Sequence, residues 1–177
     1  ILPYNATKGQ EAVELYNGTE RSVLEWQEAL TYDIMAVNEE GLWIHQKFGY
    51  SVPRRNGKSE MVLIRCLWGL KYGERILYTA HRTSTSSAAS LRLAKLLRDK
   101  GYTEVIRVKK DETYERAYTY SKQFGLERIT ILDTGASVDF RTRTSKGGLG
   151  EGFDVLIVDE AQEYTEDQRN TLQYIVS

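Results

Sequence analysis

Three consecutive residues, Gly57, Lys58 and Ser59, have the types and the order that a phosphate-binding turn needs. They match the end of the phosphate-loop pattern G-x-x-x-x-G-K-[ST], although Val52 stands where the first glycine belongs. In such a loop the helix N-terminus points backbone N–H groups at an anion, the lysine reaches the β and γ phosphates, and the hydroxyl holds Mg²⁺. Because three matched positions are common by chance, an ordinary strand-to-helix turn with a capping serine is the alternative.

Two arginines, Arg54 and Arg55, lie inside the same loop. Folding does not require them and like charges repel, but near a triphosphate they would neutralise charge that builds up on the transferred phosphoryl group. A solvated basic turn is the alternative. We expect Arg54 and Lys58 to act in catalysis. We expect nucleotide contact from the whole segment, namely Pro53, Arg54, Arg55, Asn56, Gly57, Lys58, Ser59 and Glu60.

A second candidate feature is an acidic strand end. Residues 155–158 (VLIV) are all apolar and are followed at once by Asp159 and Glu160. Ligands of open α/β sheets bind at the carboxyl ends of the strands, so this position favours a functional interpretation. We expect Asp159 to hold Mg²⁺ together with Ser59, and Glu160 to polarise an attacking water as general base. A buried strand that ends in a polar turn is the alternative.

An aromatic residue and an amide, Trp26 and Gln27, stand side by side upstream of the loop. A glutamine side chain carries the donor and the acceptor that pair with adenine, and a neighbouring aromatic ring can stack on the base. The sequence therefore predicts an adenine contact here. A core tryptophan beside a partly buried helix residue is the alternative.

Basic residues precede a glycine-rich loop at 147–152. Arg143 and Lys146 are candidates for contact with DNA or with the nucleotide site of a neighbouring subunit, and a solvated face is the alternative. The segment Tyr78–His81 ends a predicted strand on the same side of the sheet, where it would sense nucleotide or DNA.

The segment Asp133-Thr134-Gly135 matches the signature of aspartic proteases. Such a site needs two carboxylates that share a proton, which a homodimer would supply. The alternating pattern that follows the glycine favours a tight hairpin turn instead.

Composition excludes several classes of protein. The chain has 177 residues, a formal net charge of −1 and one cysteine, Cys66, so no internal disulfide or cysteine-based metal site is expected. The charge argues against a simple basic DNA-coating module. No run of about 18 apolar residues is present, so no membrane-spanning segment is expected. The chain begins with Ile1 and shows no signal-peptide pattern, so we expect a cropped piece of a longer protein.

Hydrophobic periodicity predicts the elements that position these residues. Strands alternate with helices, which predicts a three-layer α/β fold with a mainly parallel central sheet and helices on both faces. The predicted helices are 22–37, 58–71, 85–100 and 165–176, and the predicted strands are 42–52, 75–80, 104–108, 127–132, 137–143 and 153–158, with a hairpin near 127–143.

Four segments together resemble one protein family. In this order and spacing, LEWQ, VPRRNGKS, LYTAHRTSTSSAAS and KGGLGEGFDVLIVDEAQE resemble the N-terminal ATPase domain of the large terminase subunit of tailed phages. The resemblance covers residues 22–177 and leaves 1–21 as a lead-in segment.

The resemblance implies a P-loop NTPase of the additional-strand class with a catalytic glutamate, which uses ATP and Mg²⁺. By position, Gln27 matches the adenine motif, Arg54 the loop arginine that acts in the same subunit, and Lys58 with Ser59 the Walker A pair. Asp159 and Glu160 match the Walker B and catalytic pair. The family forms a ring, a pentamer, that packages double-stranded DNA into the procapsid. Its partners are the portal protein and the small terminase subunit, in the host cytoplasm and without a membrane.

The sequence departs from the family at its end. The family's next strand and coupling motif follow the position of Ser177, and its acidic nuclease cluster is not in the sequence. We therefore expect weak hydrolysis by this chain and no DNA cleavage. Two alternatives stay open: a DNA helicase or other translocase core, since DEAQ also resembles the helicase DExx box, and a nucleotide-binding assembly module without turnover.

Overall fold

The computed structural model describes residues 1–143 and 152–173. Contacts within the chain divide it into two units, Ile1–Trp68 and Gly69–Ser177. Lys146 and most of the predicted glycine-rich loop lie outside the described residues. None of the described helices is long and apolar enough to cross a membrane.

The first unit is mainly helical. It contains a two-stranded antiparallel sheet, β1 (Ala6–Thr7) with β2 (Ala36–Val37), and the helices α1 (Gly9–Asn17) and α2 (Glu25–Ile34), and it includes the start of α3 (Lys58–Lys71). The sequence-based helices 22–37 and 58–71 are thus present, the second with the predicted bounds.

Helix α1 was not expected, because residues 1–21 are polar and were interpreted as a lead-in segment. Its inner face buries Ala12, Val13 and Tyr16, so this segment is packed. Gly9 permits the close approach of α1 to α2, since a Cβ atom there would lie only 2.7 Å from the carbonyl oxygen of Thr31.

The prediction of a strand over residues 42–52 is wrong. Within this range the only ladder contact is one isolated antiparallel bridge between Trp43 and Val37. One aromatic side chain of this segment, Trp43, packs on helix α3 instead. Trp43 meets Trp68 edge-on with ring centroids 5.5 Å apart, and the guanidinium of Arg65 lies over both rings. Packing against α3 therefore overrides the local β propensity.

The second unit has an α/β fold built on a six-stranded, mostly parallel sheet. The strands, in their order across the sheet, are β4 (Thr103–Glu104), β5 (Ala117–Ser121), β6 (Arg128–Ile131), β7 (Ser137–Thr142), β3 (Arg75–Ala80) and β8 (Val155–Val158). Strand β3 is flanked by β7 and β8, both parallel to it, while β6 is antiparallel to both of its neighbours.

Most predicted strands of this unit are confirmed. Strand β3 has the predicted bounds, and β6 and β7 form the predicted hairpin. The turn of that hairpin contains Asp133, Thr134 and Gly135, which are all exposed, and Gly135 has a φ of 72°. This turn accounts for the protease-like signature. The predicted strand 104–108 is reduced to β4, and β5 was not expected because its alternation is interrupted by polar residues.

Two helices pack on the strands of the second unit. Helix α4 (Thr83–Asp99) contacts β3, β4, β6 and β7, and buries Leu93, Leu96 and Leu97. Helix α5 (Glu166–Gln173) brings Leu172 into a cluster with Leu77 and Phe153. Thr165 caps α5, since its hydroxyl accepts the Gln168 N–H at 3.4 Å.

Candidate functional site

The predicted phosphate loop ends where helix α3 begins. Lys58 is the first residue of α3, and Gly57, just before it, has a left-handed φ of 78°. Arg55 is also left-handed, with a φ of 65°, a conformation that strains a non-glycine residue by about 1–2 kcal/mol. Alternating backbone handedness of this kind turns N–H groups toward a common point and is typical of anion-binding loops.

The side chains of the loop are mostly exposed. Pro53, Arg54, Arg55, Asn56 and Ser59 are exposed, and Lys58 is half-buried. The two arginines and the serine are therefore open to a ligand, as their predicted roles require.

The first turn of α3 is held by side chains from three other segments of the first unit. The Tyr50 hydroxyl donates to the Lys58 carbonyl oxygen at 3.2 Å. The Tyr16 hydroxyl donates to the Glu60 carboxylate, which also lies 3.6 Å from the Arg21 guanidinium. Glu60, predicted to contact nucleotide, thus directs its carboxylate at residues of its own unit.

Gln27 connects helix α2 with the loop. Its side chain is only 3% exposed, its Nε2 atom donates to the Gly57 carbonyl oxygen at 3.0 Å, and its Oε1 atom accepts the Leu24 N–H at 2.8 Å. Trp26, the predicted stacking partner of adenine, is half-buried beside it on α2.

The acidic pair lies at the carboxyl edge of the second unit's sheet. Strands β3, β7 and β8 are parallel and in register, so the residues after them, His81, Arg143 and Asp159, meet at one edge. Asp159 is 5% exposed. Its Oδ2 atom accepts the Tyr78 hydroxyl at 2.8 Å and its Oδ1 atom accepts the Glu160 N–H at 2.8 Å.

Glu160 follows in a left-handed conformation with φ 54° and ψ 47°. Its carboxylate lies at the N-terminus of α4, where Oε2 accepts the N–H groups of His81 at 3.0 Å and Arg82 at 3.3 Å. The Thr85 hydroxyl donates to Oε1 at 3.3 Å. Arg82 occupies the cap position of α4, and the Glu160 carboxylate accepts the N–H groups of this residue and of the residue before it.

Arg143 holds the turn that contains the acidic pair. Its two terminal nitrogens donate to the carbonyl oxygens of Asp159 at 2.6 Å and Glu160 at 2.9 Å. The guanidinium also lies 5.6 Å from the ring centre of Tyr164. Burial lowers the pKa of Arg143, while the nearby acidic groups, Glu160 foremost, act in the opposite direction. The guanidinium is therefore directed into its own unit, and contact with DNA or with a neighbouring subunit stays a prediction.

The two halves of the predicted site belong to different units. The loop with Lys58 and Ser59 is in the first unit, and Asp159 and Glu160 are in the second. Among the described residues no cluster of three or more His, Cys, Asp or Glu side chains forms a metal cage. A Mg²⁺ ion of a nucleotide site does not need one, because it takes one or two protein oxygens and completes its shell with phosphates and water. A serine hydroxyl such as that of Ser59 and a carboxylate such as that of Asp159 are each ligand types that Mg²⁺ takes.

Sequence reasoning missed several residues around these motifs. Tyr16, Arg21 and Tyr50 support the start of α3, and Thr85 binds Glu160. Isolated tyrosines and an arginine in polar segments give no periodic signal, and Thr85 lies among several similar serines and threonines. Only the folded chain selects among them.

Comparisons of the chain with protein-family models, with curated proteins and with solved structures found no match. The resemblance to large terminase subunits therefore rests on the four sequence segments that carry it.

Proposed function

We propose that this chain is the ATPase motor domain of a viral large terminase subunit, a P-loop NTPase of the additional-strand class with a catalytic glutamate. It hydrolyses Mg·ATP to drive double-stranded DNA into the procapsid. The observation that carries this proposal is the position of the backbone strain. Among the described residues three non-glycine residues have a positive φ, Arg55, Arg116 and Glu160, and two of them lie in the two chemical motifs. Strain of this kind clusters at functional sites.

The loop supplies the phosphate contacts. The N-terminus of α3 favours an anion, Lys58 neutralises the β and γ phosphates, and Arg54 stabilises charge on the transferred group. Ser59 and Asp159 are the residues that would hold Mg²⁺, which supplies charge neutralisation for the phosphates.

Glu160 orients and deprotonates the attacking water as general base. Its carboxylate is held by backbone N–H groups of His81 and Arg82, so it is ordered before a ligand binds. The charge of the side chain is thus positioned at the carboxyl edge of the sheet, where ligands of α/β proteins bind.

The assembly follows from the family resemblance. The chain acts within a homo-oligomeric ring, a pentamer, together with the portal protein and the small terminase subunit, on duplex DNA in the host cytoplasm. Arg143 and Lys146 are the proposed contacts with DNA or with the neighbouring subunit.

A second candidate is a nucleotide-binding assembly module without turnover. One observation favours it, because the Glu160 carboxylate is occupied at the N-terminus of α4 by two N–H groups and the Thr85 hydroxyl. A carboxylate that only ties this turn to the start of α4 would have a structural role only.

Substitution Glu160→Gln separates the two candidates. The amide keeps an oxygen that accepts the N–H groups but cannot take a proton, so single-turnover ATP hydrolysis should fall about 10²–10⁴-fold while ATP binding persists. Glu163→Gln, an exposed acid in the same segment, is the matched control and should hydrolyse ATP normally. Equal hydrolysis by wild type and Glu160→Gln would contradict the catalytic assignment. A strand-displacement assay on duplex DNA tests the helicase alternative, for which unwinding is expected.

A further inference from the structure

Both polar atoms of the Gln27 carboxamide form hydrogen bonds with backbone groups. Gln27 occupies the third helical position of α2, and its Oε1 atom closes the helix end by accepting the Leu24 N–H at 2.8 Å. Its Nε2 atom reaches outward to the Gly57 carbonyl oxygen at 3.0 Å. The side chain therefore forms a direct link between the start of α2 and the last residue of the phosphate loop.

The fit between Gln27 and Gly57 is tight. A Cβ atom on Gly57 would lie 2.8 Å from Nε2 of Gln27, and the φ of 78° at Gly57 is unfavourable for any other residue. The loop backbone thus approaches the amide as closely as a glycine allows. Tyr50 and Tyr16 bond to residues in the first turn of α3.

A base-reading role needs a free amide edge. The carboxamide offers two N–H donors and one oxygen, and the oxygen and one donor are used within the first unit. The side chain is 3% exposed, which leaves little surface for a purine. The contribution of Gln27 to ligand binding therefore acts through the loop.

We propose that Gln27 is a positioning residue that fixes the phosphate loop for a polyphosphate group, in place of a reader of the adenine base. This inference rests on the proposed nucleotide-binding function. If the inference holds, Gln27 increases the affinity for the triphosphate part of ATP. The increase should then be equal for ATP and for a triphosphate that has no base.

The test compares two ligands, Mg·ATP and Mg·tripolyphosphate, by calorimetry on the whole chain. In Gln27→Glu the carboxylate still accepts the Leu24 N–H but cannot donate to Gly57. Loss of that bond should lower the affinity for both ligands by the same factor, about five- to tenfold. Thr31→Val is the matched control. It removes the Thr31 hydroxyl, which donates to the Gln27 carbonyl oxygen at 2.6 Å and lies 3.8 Å from the Met61 sulfur, and neither partner belongs to residues 53–60.

Amide hydrogen exchange on the ligand-free proteins separates positioning from general loss of structure. Gln27→Glu should speed exchange in residues 53–60 and leave most of α2 protected, whereas Thr31→Val should leave 53–60 unchanged. If Gln27→Glu weakens the binding of ATP but not of tripolyphosphate, Gln27 contacts the base. That result would overturn this inference and leave the proposed function standing. Unchanged affinity for both ligands would also overturn it. A wild-type chain that binds neither ligand overturns the proposed function and the inference together.

Discussion

The Tyr78 hydroxyl donates to the Oδ2 atom of Asp159 at 2.8 Å, and both side chains are buried. Tyr78 belongs to β3 and Asp159 follows β8, so the bond crosses between two parallel strands near their carboxyl ends. The ring of Tyr78 also packs beside Phe140 at 5.4 Å between centroids. A core aromatic residue thus orients the carboxylate that is predicted to hold Mg²⁺.

Replacement of Tyr78 by phenylalanine removes this hydroxyl and keeps the ring. Because a buried carboxylate loses a partner, the free energy of unfolding should fall by about 1–2 kcal/mol. The Mg²⁺ concentration for half-maximal ATP hydrolysis should also shift, since Asp159 is no longer oriented. Tyr120→Phe is the control, because the Tyr120 hydroxyl pairs with Ser90 at 2.7 Å. An identical Mg²⁺ dependence in wild type and Tyr78→Phe would refute the link to the metal.

The substitution Arg143→Gln tests whether Arg143 holds the turn that contains Asp159 and Glu160. The substitution removes two charge-assisted hydrogen bonds to the carbonyl oxygens of Asp159 and Glu160, so the free energy of unfolding should fall by about 2 kcal/mol. ATP turnover should fall more than ATP affinity, because the turn carries the proposed general base and not the proposed phosphate loop.

The control for Arg143 is Arg98→Gln, which removes an arginine that donates to the Tyr118 hydroxyl at 3.2 Å. Chemical denaturation and single-turnover kinetics without DNA provide the two readouts. Arg143→Gln could instead match wild type without DNA and lose activity only when DNA is present. That result would contradict a role of Arg143 in holding the turn and would support a contact with DNA.

The raised pKa of Tyr4 leads us to expect that the stability of the fold depends on pH. Burial, and then the hydrogen bond to Asp33 at 2.7 Å, raise the pKa of Tyr4 from 10.0 to about 12. Between these two values the unfolded chain releases the phenolic proton and the folded chain keeps it, so stability is present below pH 10 and falls as the pH rises toward 12.

Thermal unfolding between these pH values measures this contribution. Tyr4→Phe should show a shallower loss of the midpoint temperature with pH than wild type. Asp33→Asn, which removes the carboxylate partner, should bring the pKa of Tyr4 down toward 10, so that the loss is smaller and ends at a lower pH. Parallel curves for wild type and Tyr4→Phe would mean that other groups cause the loss.

Periodic and strongly apolar segments could be predicted from the sequence. The pattern of α3, the apolar runs of β3 and β8, and the glycine turn between β6 and β7 each contain enough local information to specify the element. The sequence also predicts that Asp159 and Glu160 lie where the parallel strands end. They directly follow the apolar run of β8, and the carboxyl ends of parallel strands lie at one edge of the sheet.

Tertiary packing determined the features that could not be predicted. Residues 42–52 alternate like a strand, but Trp43 is drawn to Trp68 and Arg65. The N–H groups of His81 and Arg82, just before α4, donate to Glu160, more than 70 residues away in the chain. Contacts between residues so distant in sequence leave no periodic trace, and only the folded structure contains them.

The most direct test of the proposed function is calorimetric binding of Mg·ATP to the wild-type chain and to Lys58→Ala, with Lys47→Ala, an exposed lysine of the same unit, as control. Lys58 is predicted to neutralise the β and γ phosphates, so its loss should weaken binding about a hundredfold, a cost of about 2–3 kcal/mol. The wild type and Lys47→Ala should bind with equal affinity. A wild-type chain that does not bind Mg·ATP, or a Lys58→Ala variant that binds as tightly as wild type, would contradict the phosphate-loop assignment and with it the motor function.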